Sequence, residues 1–226
     1  MSTLTTPPLA PLLARLFADA EITTAKLRKE SETLSPAERA ARMQQSDYLG
    51  LYTQMKDYHL PVSPETGRFL YMLVRTARMR SIIEFGTSFG ISTLHLAAAL
   101  RDGGGGRIIS TEFEPSKVAR ARDNIAAAGL SDLVEIREGD ALQTLARDLP
   151  ESIDLVLLDG AKSLYPRVLA LLEAHLHPGS LILADNADWC PDYLAYVRSA
   201  ANGYLSVPFA EDVELSMRLE PAGARR

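Results

Sequence analysis

After residue 80 the chain alternates short apolar strands with helical segments, and this alternation constrains the fold more than any other feature. Five runs are rich in β-branched or apolar residues, and the segments between them have the apolar spacing of helices. Such alternation predicts an α/β fold with a doubly wound, mostly parallel sheet. The predicted strands are 81–85, 107–112, 133–138, 153–159 and 180–185, and the predicted helices are 91–100, 115–128, 141–148 and 164–175.

The regions on either side of this alternation predict a helical cap and an edge ribbon. Residues 8–60 favour helices, and Ser35 with Glu38 forms a capping box around Pro36. We expect residues 1–60 to cap, within one domain, the sheet carried by residues 61–226. Ser63 and Pro64 predict the start of a further helix. Gly129 is placed to end the predicted helix 115–128. Residues 203–220 predict two antiparallel strands at the sheet edge.

Composition and charge limit the cellular setting and the kind of substrate that we expect for this chain. In 226 residues no apolar run approaches the ~20 that a membrane helix needs, and the first residues lack the features of a signal peptide. The single cysteine, Cys190, excludes an internal disulfide, so we expect a cytoplasmic protein. The net charge is −5 and the basic cluster at 75–80 is short, which favours a small-molecule substrate over nucleic acid.

Polar residues follow the first and fifth strands, at the edge where such folds bind ligands. Asp185 and Asn186 come directly after an apolar run, where an Asx turn would also explain them. The spacing Gly86-x-x-x-Gly90 differs from the dinucleotide-binding pattern, which disfavours a dehydrogenase. Gly86 would let backbone approach a ligand, the following helix N-terminus would bind a carboxylate, and Glu84 would meet an ammonium group.

The ends of the second and third strands suggest a nucleoside. Glu112 lies 22 residues after Gly90, where an acid suits the vicinal hydroxyls of a ribose. Asp140 and Ala141 follow the third strand, where a base edge would lie. An adenosine site beside an amino-acid site has the composition of S-adenosylmethionine.

These segments resemble the cation-dependent O-methyltransferases, a group within the class I S-adenosylmethionine-dependent enzymes. The similarity spans residues 55–220 and rests on "SIIEFGTSFGISTLHLA", "STEFEPSKVARARDNIAAAGL", "IDLVLLDGAKSLY" and "LILADN". "PDYLAYVR" and the later "VEL" lean toward catechol O-methyltransferase. The resemblance implies a seven-stranded sheet with the last strand antiparallel, Mg²⁺ or another divalent cation, a small aromatic diol as substrate, and a homodimer.

The resemblance also implies roles for individual residues. The cofactor contacts fall on Val62, Glu84, Gly86, Thr87, Ser92, Glu112, Ala141 and Asp159, with Asp140 beside them. The metal ligands fall on Asp159, Asp185 and Asn186. Lys162 takes the place of the catalytic lysine, and Lys162, Asn186 and Glu214 are the substrate-binding residues, with Glu214 accepting the second catechol hydroxyl.

Elementary chemistry agrees with the metal and lysine assignments. Two carboxylates and one carboxamide form an all-oxygen set that suits Mg²⁺ and not Zn²⁺. A cation so close would depress the pKa of Lys162 and favour a neutral amine that takes a proton. A surface lysine at a helix start is the alternative for this residue.

Two departures from the family pattern fall on the acceptor side. This chain has Asp159-Gly160-Ala161-Lys162 where bacterial members read Asp-Ala-Asp-Lys, and Trp189-Cys190-Pro191 where a glycine often occurs. The acceptor and the roles of Trp189 and Cys190 therefore stay open, and we expect no metal role for the His175–His177 pair. A tRNA hydroxyuridine methyltransferase and a non-catalytic S-adenosylmethionine-binding module are the alternative functions.

Overall fold

The computed structural model describes residues 2–33, 35, 38, 48–209 and 212–220. Its centre is a seven-stranded sheet of order β3-β2-β1-β4-β5-β7-β6. Neighbours among the first five strands are parallel, and β7 runs antiparallel to both β5 and β6. This confirms the predicted sheet and its edge ribbon. The strands are β1 (Ser81–Phe85), β2 (Arg107–Glu112), β3 (Val134–Glu138), β4 (Ile153–Leu158), β5 (Leu176–Ala184), β6 (Tyr204–Phe209) and β7 (Val213–Arg218).

Helices cover both faces of the sheet, as a doubly wound fold requires. In the described residues they are α1 (Leu9–Glu32), α2 (Tyr48–Gln54), α3 (Pro64–Ala77), α4 (Ile91–Gly103), α5 (Pro115–Ala127), α6 (Ala141–Thr144), α7 (Tyr165–Leu172) and α8 (Pro191–Val197). Residues of α1, α3, α4 and α5 share one apolar core with the sheet, and residues of α6, α7 and α8 share the other. None of the helices in these ranges combines the length and apolar character needed to cross a membrane.

Local sequence signals place several helix ends correctly. Ser63 Oγ accepts a hydrogen bond from Thr66 N at 3.0 Å, immediately before Pro64. Gly129 has φ +69° just beyond α5. Ser35 and Glu38 make the reciprocal bonds of a capping box, with Ser35 N donating to Glu38 at 2.7 Å and Glu38 N to Ser35 Oγ at 3.3 Å. Most of the helix predicted to follow this box lies outside the described residues.

Two predicted boundaries differ most from the structure, and in each case a side chain makes hydrogen bonds that the local pattern does not show. The helix predicted over 141–148 ends at Thr144, because the guanidinium of Arg137 binds the carbonyls of Thr144, Arg147 and Asp148 at 2.8 Å each. Strand β5 begins earlier than predicted, at Leu176. Ser180 Oγ bridges Ile153 O at 2.6 Å and His177 N at 2.9 Å, which carries the strand through an irregular stretch.

The sheet order fixes where a site can form. Strand β1 is central and pairs with β2 on one side and β4 on the other. The chain therefore reverses its direction of winding at β1, and ligands bind beyond the carboxyl ends of the strands at such a switch point. The predicted site residues after β1, β2, β4 and β5 all lie at this edge.

Candidate active site

Three adjoining cavities form a groove along the carboxyl edge of the sheet. The Tyr52 cleft has a volume of ≈ 440 Å³, the Gly86 pocket ≈ 240 Å³ and the Asp185 cavity ≈ 1250 Å³. Gly86 lines both the Tyr52 cleft and the Gly86 pocket, and Pro61 lines both the Gly86 pocket and the Asp185 cavity.

The Tyr52 cleft contains the predicted nucleoside residues Glu112, Asp140 and Ala141. Glu112 accepts hydrogen bonds from Ser88 N at 2.9 Å and from Glu114 N at 3.0 Å, so its carboxylate has a fixed position. Burial raises the pKa of Glu112. Asp140 caps α6 by accepting from Leu142 N at 2.9 Å.

Aromatic side chains on the walls of this cleft were not predicted from the sequence. Tyr48 and Tyr52 come from α2, and Phe113 directly follows Glu112. The Tyr48 hydroxyl donates to Asp140 at 3.2 Å, which ties α2 to the loop after β3. Flat apolar walls beside a fixed carboxylate suit a base joined to a ribose. The spacing of the two tyrosines by four residues was the available signal, because it places both on one side of a helix.

Gly86 makes the turn from β1 possible. Its φ is +105°, and a Cβ at this position would lie 2.6 Å from the carbonyl oxygen of Asp159. Only glycine fits this approach. Thr87 and Ser92 line the Gly86 pocket as expected, and Gly90, with φ +87°, precedes α4 without a side chain that caps the helix. The free N–H groups of α4 suit an anionic group.

Glu84 has a different position from the one expected. Its side chain is fully buried, and the hydroxyls of Ser92, Thr93 and Ser110 donate to it at 2.5 Å each. It is absent from the lining of the Tyr52 cleft and the Gly86 pocket. Glu84 thus supports the turn from beneath, and burial raises the pKa of its carboxyl. The contact with an ammonium group stays a prediction.

Lys162 is buried beside Asp159 and is not the surface lysine of the alternative interpretation. Its Nζ lies 3.1 Å from Asp159 Oδ1 and donates to the Tyr165 hydroxyl at 2.9 Å. The same hydroxyl lies 2.8 Å from the carbonyl oxygens of Leu158 and Asp185. Tyr165 thus joins the ends of β4 and β5 and holds the amine between them.

The pKa of Lys162 departs from our expectation for a metal-bound site. Burial alone would lower this pKa, but the negative charges of Asp159 and Asp185 raise it. Burial and the charge of Asp159 in turn raise the pKa of Asp185 to about 8. The raised pKa of Asp185 means that ionising both aspartates beside one ammonium group is costly, and a bound cation would lower that cost.

The carboxamide of Asn186 lies at the other end of this cluster. Its Nδ2 donates to Asp212 Oδ2 at 2.8 Å, and both residues line the Asp185 cavity. Asp159, Asp185 and Asn186 stay the predicted set of oxygen donors, and Asp185 and Asn186 line one cavity. Among the described residues no group of three His, Cys, Asp or Glu side chains is arranged to hold a metal, so a cation here would depend on the carboxamide as well. The hard oxygen donors fit Mg²⁺.

Glu214, the predicted acceptor for a second catechol hydroxyl, makes its contacts within the protein. The side chain is 1% exposed, and its carboxylate accepts from Arg198 Nε at 2.9 Å, Arg198 Nη2 at 2.7 Å and Ser206 Oγ at 2.6 Å. These partners lower the pKa of Glu214 against the effect of burial and occupy both oxygens. The acid that faces Asn186 is Asp212, which sequence reasoning missed because the family pattern directed attention to Glu214.

Helix α1 forms one wall of the Asp185 cavity. Phe17, Ala20, Glu21 and Thr24 line it opposite Asp185 and Asn186. Val62, predicted as a cofactor contact, lines the same cavity. The segment before the sheet therefore covers this end of the groove.

Three histidines were set aside by the sequence analysis or not assigned there, and the roles of Trp189 and Cys190 were left open. His59 lines the Gly86 pocket, stacked at 4.0 Å on Phe89. A ring nitrogen of His175 lies 2.7 Å from Pro150 O, and the ring nitrogens of His177 lie 2.9 Å from Pro178 O and 3.1 Å from Asp154 Oδ1. Trp189 is 40% exposed, and burial raises the pKa of the Cys190 thiol.

Comparison with known proteins identifies the fold and the family. A family model described as O-methyltransferase matches residues 38–220. Over 130 residues the chain is 36% identical to catechol O-methyltransferase of Niastella koreensis, covering 56% of this chain and 58% of the relative. It is 33% identical over 171 residues to catechol O-methyltransferase B of Danio rerio, covering 72% and 64%. The matched stretches thus span less than two thirds of these relatives.

Solved structures agree. The O-methyltransferase from Bacillus cereus, determined in complex with SAH, superposes with a TM-score of 0.63 at 26% identity and covers 89% of this chain and 100% of the other. A putative O-methyltransferase from Klebsiella pneumoniae has a TM-score of 0.63 at 21% identity, with 89% and 99% coverage, and shares the fold.

Proposed function

The chain belongs to the O-methyltransferase family, and we propose that it moves the methyl group of S-adenosylmethionine to one hydroxyl of a catechol-type small molecule. Mg²⁺ or another divalent cation takes part. The observation that carries this proposal is the convergence of Asp159, Lys162, Asp185 and Asn186 on the edge of the sheet that also holds the Gly86 pocket. A module that only binds the cofactor has no use for this cluster.

The groove supports the cofactor assignment from one end to the other. Glu112 would accept hydrogen bonds from the two ribose hydroxyls, and the aromatic walls of the Tyr52 cleft would hold the base. The Gly86 turn and the N-terminus of α4 would hold the carboxylate of the amino-acid part. With the base in the Tyr52 cleft, the amino-acid part would point toward Asp159, which lines the Gly86 pocket and is one of the proposed cation ligands.

Asp159, Asp185 and Asn186 would hold the cation. When bound, the cation would lower the pKa of a hydroxyl in contact with it, and S-adenosylmethionine would supply an activated methyl group. Asp159 also lines the Gly86 pocket, so these side chains would hold the acceptor hydroxyl at the end of the groove next to that pocket. Helix α1 limits the access of water to this end of the groove.

Lys162 is the residue we propose to hold or accept the hydroxyl proton at Nζ. Tyr165 and Asp159 fix the position of this amine. The two aspartates raise its pKa, and burial opposes them. Once their charge is neutralised, burial favours the neutral amine, which is the form that takes a proton.

We propose a small phenolic acceptor and not RNA as the substrate, because the chain has a net charge of −5 and acidic residues line the Asp185 cavity. A homodimer and a cytoplasmic location are part of the same proposal. The family supports the first, and the single buried cysteine supports the second.

The test is a methyl-transfer assay with labelled S-adenosylmethionine and four acceptors: a catechol, its monophenol, a caffeoyl ester and bulk tRNA. Each is measured with Mg²⁺ and with a chelator. We expect transfer to the catechol that chelation abolishes and Mg²⁺ restores.

Asp185→Asn should lower kcat by at least 100-fold, because it removes one anionic ligand. Asp188→Asn is the matched control, because it changes a nearby acid outside the proposed ligand set. Transfer to tRNA in preference to the catechol would contradict the proposal, as would full activity of Asp185→Asn in metal-free buffer.

A further inference from the structure

Asp212 precedes β7 and meets the carboxamide of Asn186. We propose that Asp212 is a positioning residue. It holds the Asn186 carboxamide with Oδ1 turned toward the proposed cation site at Asp159 and Asp185. The inference rests on the proposed function, because it concerns the geometry of the cation site.

A carboxamide has a donor end and an acceptor end, so fixing one end fixes the other. An ionised carboxylate only accepts hydrogen bonds, so Asp212 selects the nitrogen end of Asn186. The contact of 2.8 Å between Nδ2 and Oδ2 therefore leaves Oδ1 on the far side of the amide group. If the group rotated by half a turn, it would present N–H groups to a cation and repel it.

Asp212 also holds the backbone of the turn that carries Asn186. Ala187 N donates to Asp212 O at 2.8 Å, so the main chain and the side chain of Asp212 both contact this turn. Asn186 has φ +47°, a left-handed conformation that needs support from its surroundings. Two contacts from one residue provide that support.

The sheet explains why Asp212 reaches this position. Strand β7 runs antiparallel to β5, with Glu214 paired to Ala184. The residue two places before Glu214 therefore lies beside the residue two places after Ala184, which is Asn186. The antiparallel pairing of β7 with β5 thus brings Asp212 beside Asn186, at the proposed cation site.

The test measures metal binding directly, by titrating Mn²⁺ and following the loss of the free-ion signal in electron paramagnetic resonance. Asp212→Ala should weaken Mn²⁺ binding by about 10- to 100-fold, as is typical when a residue that orients a ligand is lost. Asp212→Asn keeps one acceptor oxygen and should recover most of that affinity. Calorimetric binding of S-adenosylhomocysteine verifies that each variant is folded.

Asp188→Ala is the control for charge, because Asp188 lies in the same turn, whereas the Asn186 amide donates to Asp212. It should bind Mn²⁺ within about threefold of the wild type, well short of the 10-fold loss expected for an orienting residue. Equal weakening in Asp212→Asn, Asp212→Ala and Asp188→Ala would overturn the inference in favour of charge alone. Unchanged binding in Asp212→Ala would also overturn it. Failure of the wild type to bind Mn²⁺ would contradict the proposed metal itself.

Discussion

At the scale of single residues, Glu84 and Glu112 show how two buried acids on neighbouring strands acquire different roles. Glu84 accepts from three protein hydroxyls and is fully buried. Glu112 accepts from two backbone N–H groups and still lines the Tyr52 cleft. A carboxylate whose position is fixed by backbone groups at a cavity wall is ready to bind hydroxyls.

We predict that Glu112→Ala weakens binding of S-adenosylhomocysteine by roughly 10- to 150-fold, because it removes hydrogen bonds to a charged group worth about 1.5–3 kcal/mol. Glu112→Gln should fall between the wild type and Glu112→Ala. Isothermal calorimetry measures both. The control is Glu138→Ala, since Glu138 pairs with Glu112 across the sheet and ends β3, but does not line the Tyr52 cleft. Equal effects of the two alanine variants would contradict the ribose assignment.

At the scale of the elements, the turn between β1 and α4 depends on Gly86. We predict that Gly86→Ala abolishes measurable cofactor binding and lowers the free energy of unfolding by more than the ~1–2 kcal/mol cost of a left-handed alanine. The reason is the 2.6 Å approach of the added Cβ to Asp159 O.

Gly129→Ala isolates the conformational part of that cost. Gly129 also has a positive φ, +69°, but an added Cβ would have no atom within 4 Å. Chemical denaturation of both variants gives the difference. A Gly86→Ala protein as stable as Gly129→Ala would show that the turn tolerates the side chain.

The elements were largely predictable from the sequence, and the site was predictable in part. Strands β1 and β2 have the predicted ends, because the apolar runs are local signals, as are Gly86 after β1 and Gly106 before β2. The end of α6 depends on Arg137 of β3, and the start of β5 depends on the bond from Ser180 to Ile153 of β4, so both involve contacts between elements. Asp212 reaches Asn186 only through the pairing of β7 with β5, and local patterns do not encode that pairing.

Helix α1 gives a second prediction at this scale. Thr24 lines the Asp185 cavity, so Thr24→Trp should fill part of it and raise KM for the acceptor by about 10-fold, equivalent to about 1.4 kcal/mol. The dissociation constant of S-adenosylhomocysteine should not change. Ile22→Trp is the matched control, because Ile22 lies on the same helix and is 72% exposed. An unchanged KM in Thr24→Trp would exclude α1 as a wall of the acceptor site.

At the scale of the whole molecule, hydrogen bonds of Asp154 join the amino ends of the strands, at a distance from the site. Asp154 Oδ2 accepts from Arg80 N at 2.6 Å and Ser81 N at 2.9 Å, and its Oδ1 lies 3.1 Å from His177 Nε2. Partial burial would raise the pKa of Asp154, but these hydrogen bonds lower it. The hydrogen bond to Pro178 O is the largest effect that raises the pKa of His177, and Asp154 raises this pKa further. Partial burial opposes both effects.

The two shifts define a window of pH. A lowered carboxyl pKa contributes stability above the unfolded value of 3.8 that is lost as pH falls through the folded pKa. A raised histidine pKa contributes stability below 6.5 that is lost as pH rises through the folded pKa. The pair therefore contributes most between these two values.

We predict that His177→Ala lowers Tm more at pH 5 than at pH 8.5, by an amount that corresponds to less than about 1 kcal/mol because the pair is partly exposed. Scanning calorimetry at the two pH values measures this difference. Cofactor affinity at fixed pH should equal that of the wild type, since His177 lies at the opposite end of the sheet. A Tm loss independent of pH would assign the effect to packing instead of charge.

The central position of β1 also affects how the chain is made. One edge of β1 takes β2, whose Ile108 pairs with Ile82 and is synthesised soon afterwards. The other edge waits for β4, whose Leu155 pairs with the same Ile82 from 73 residues further on. At about 5–20 residues per second, a ribosome needs about 4–15 s to supply that partner. During this interval an apolar strand edge is open to pairing with another nascent chain, and binding of the cofactor cannot protect it because Asp159 and Gly160 have yet to emerge. Slower growth at low temperature and chaperone co-expression should therefore raise the soluble yield more than added cofactor does.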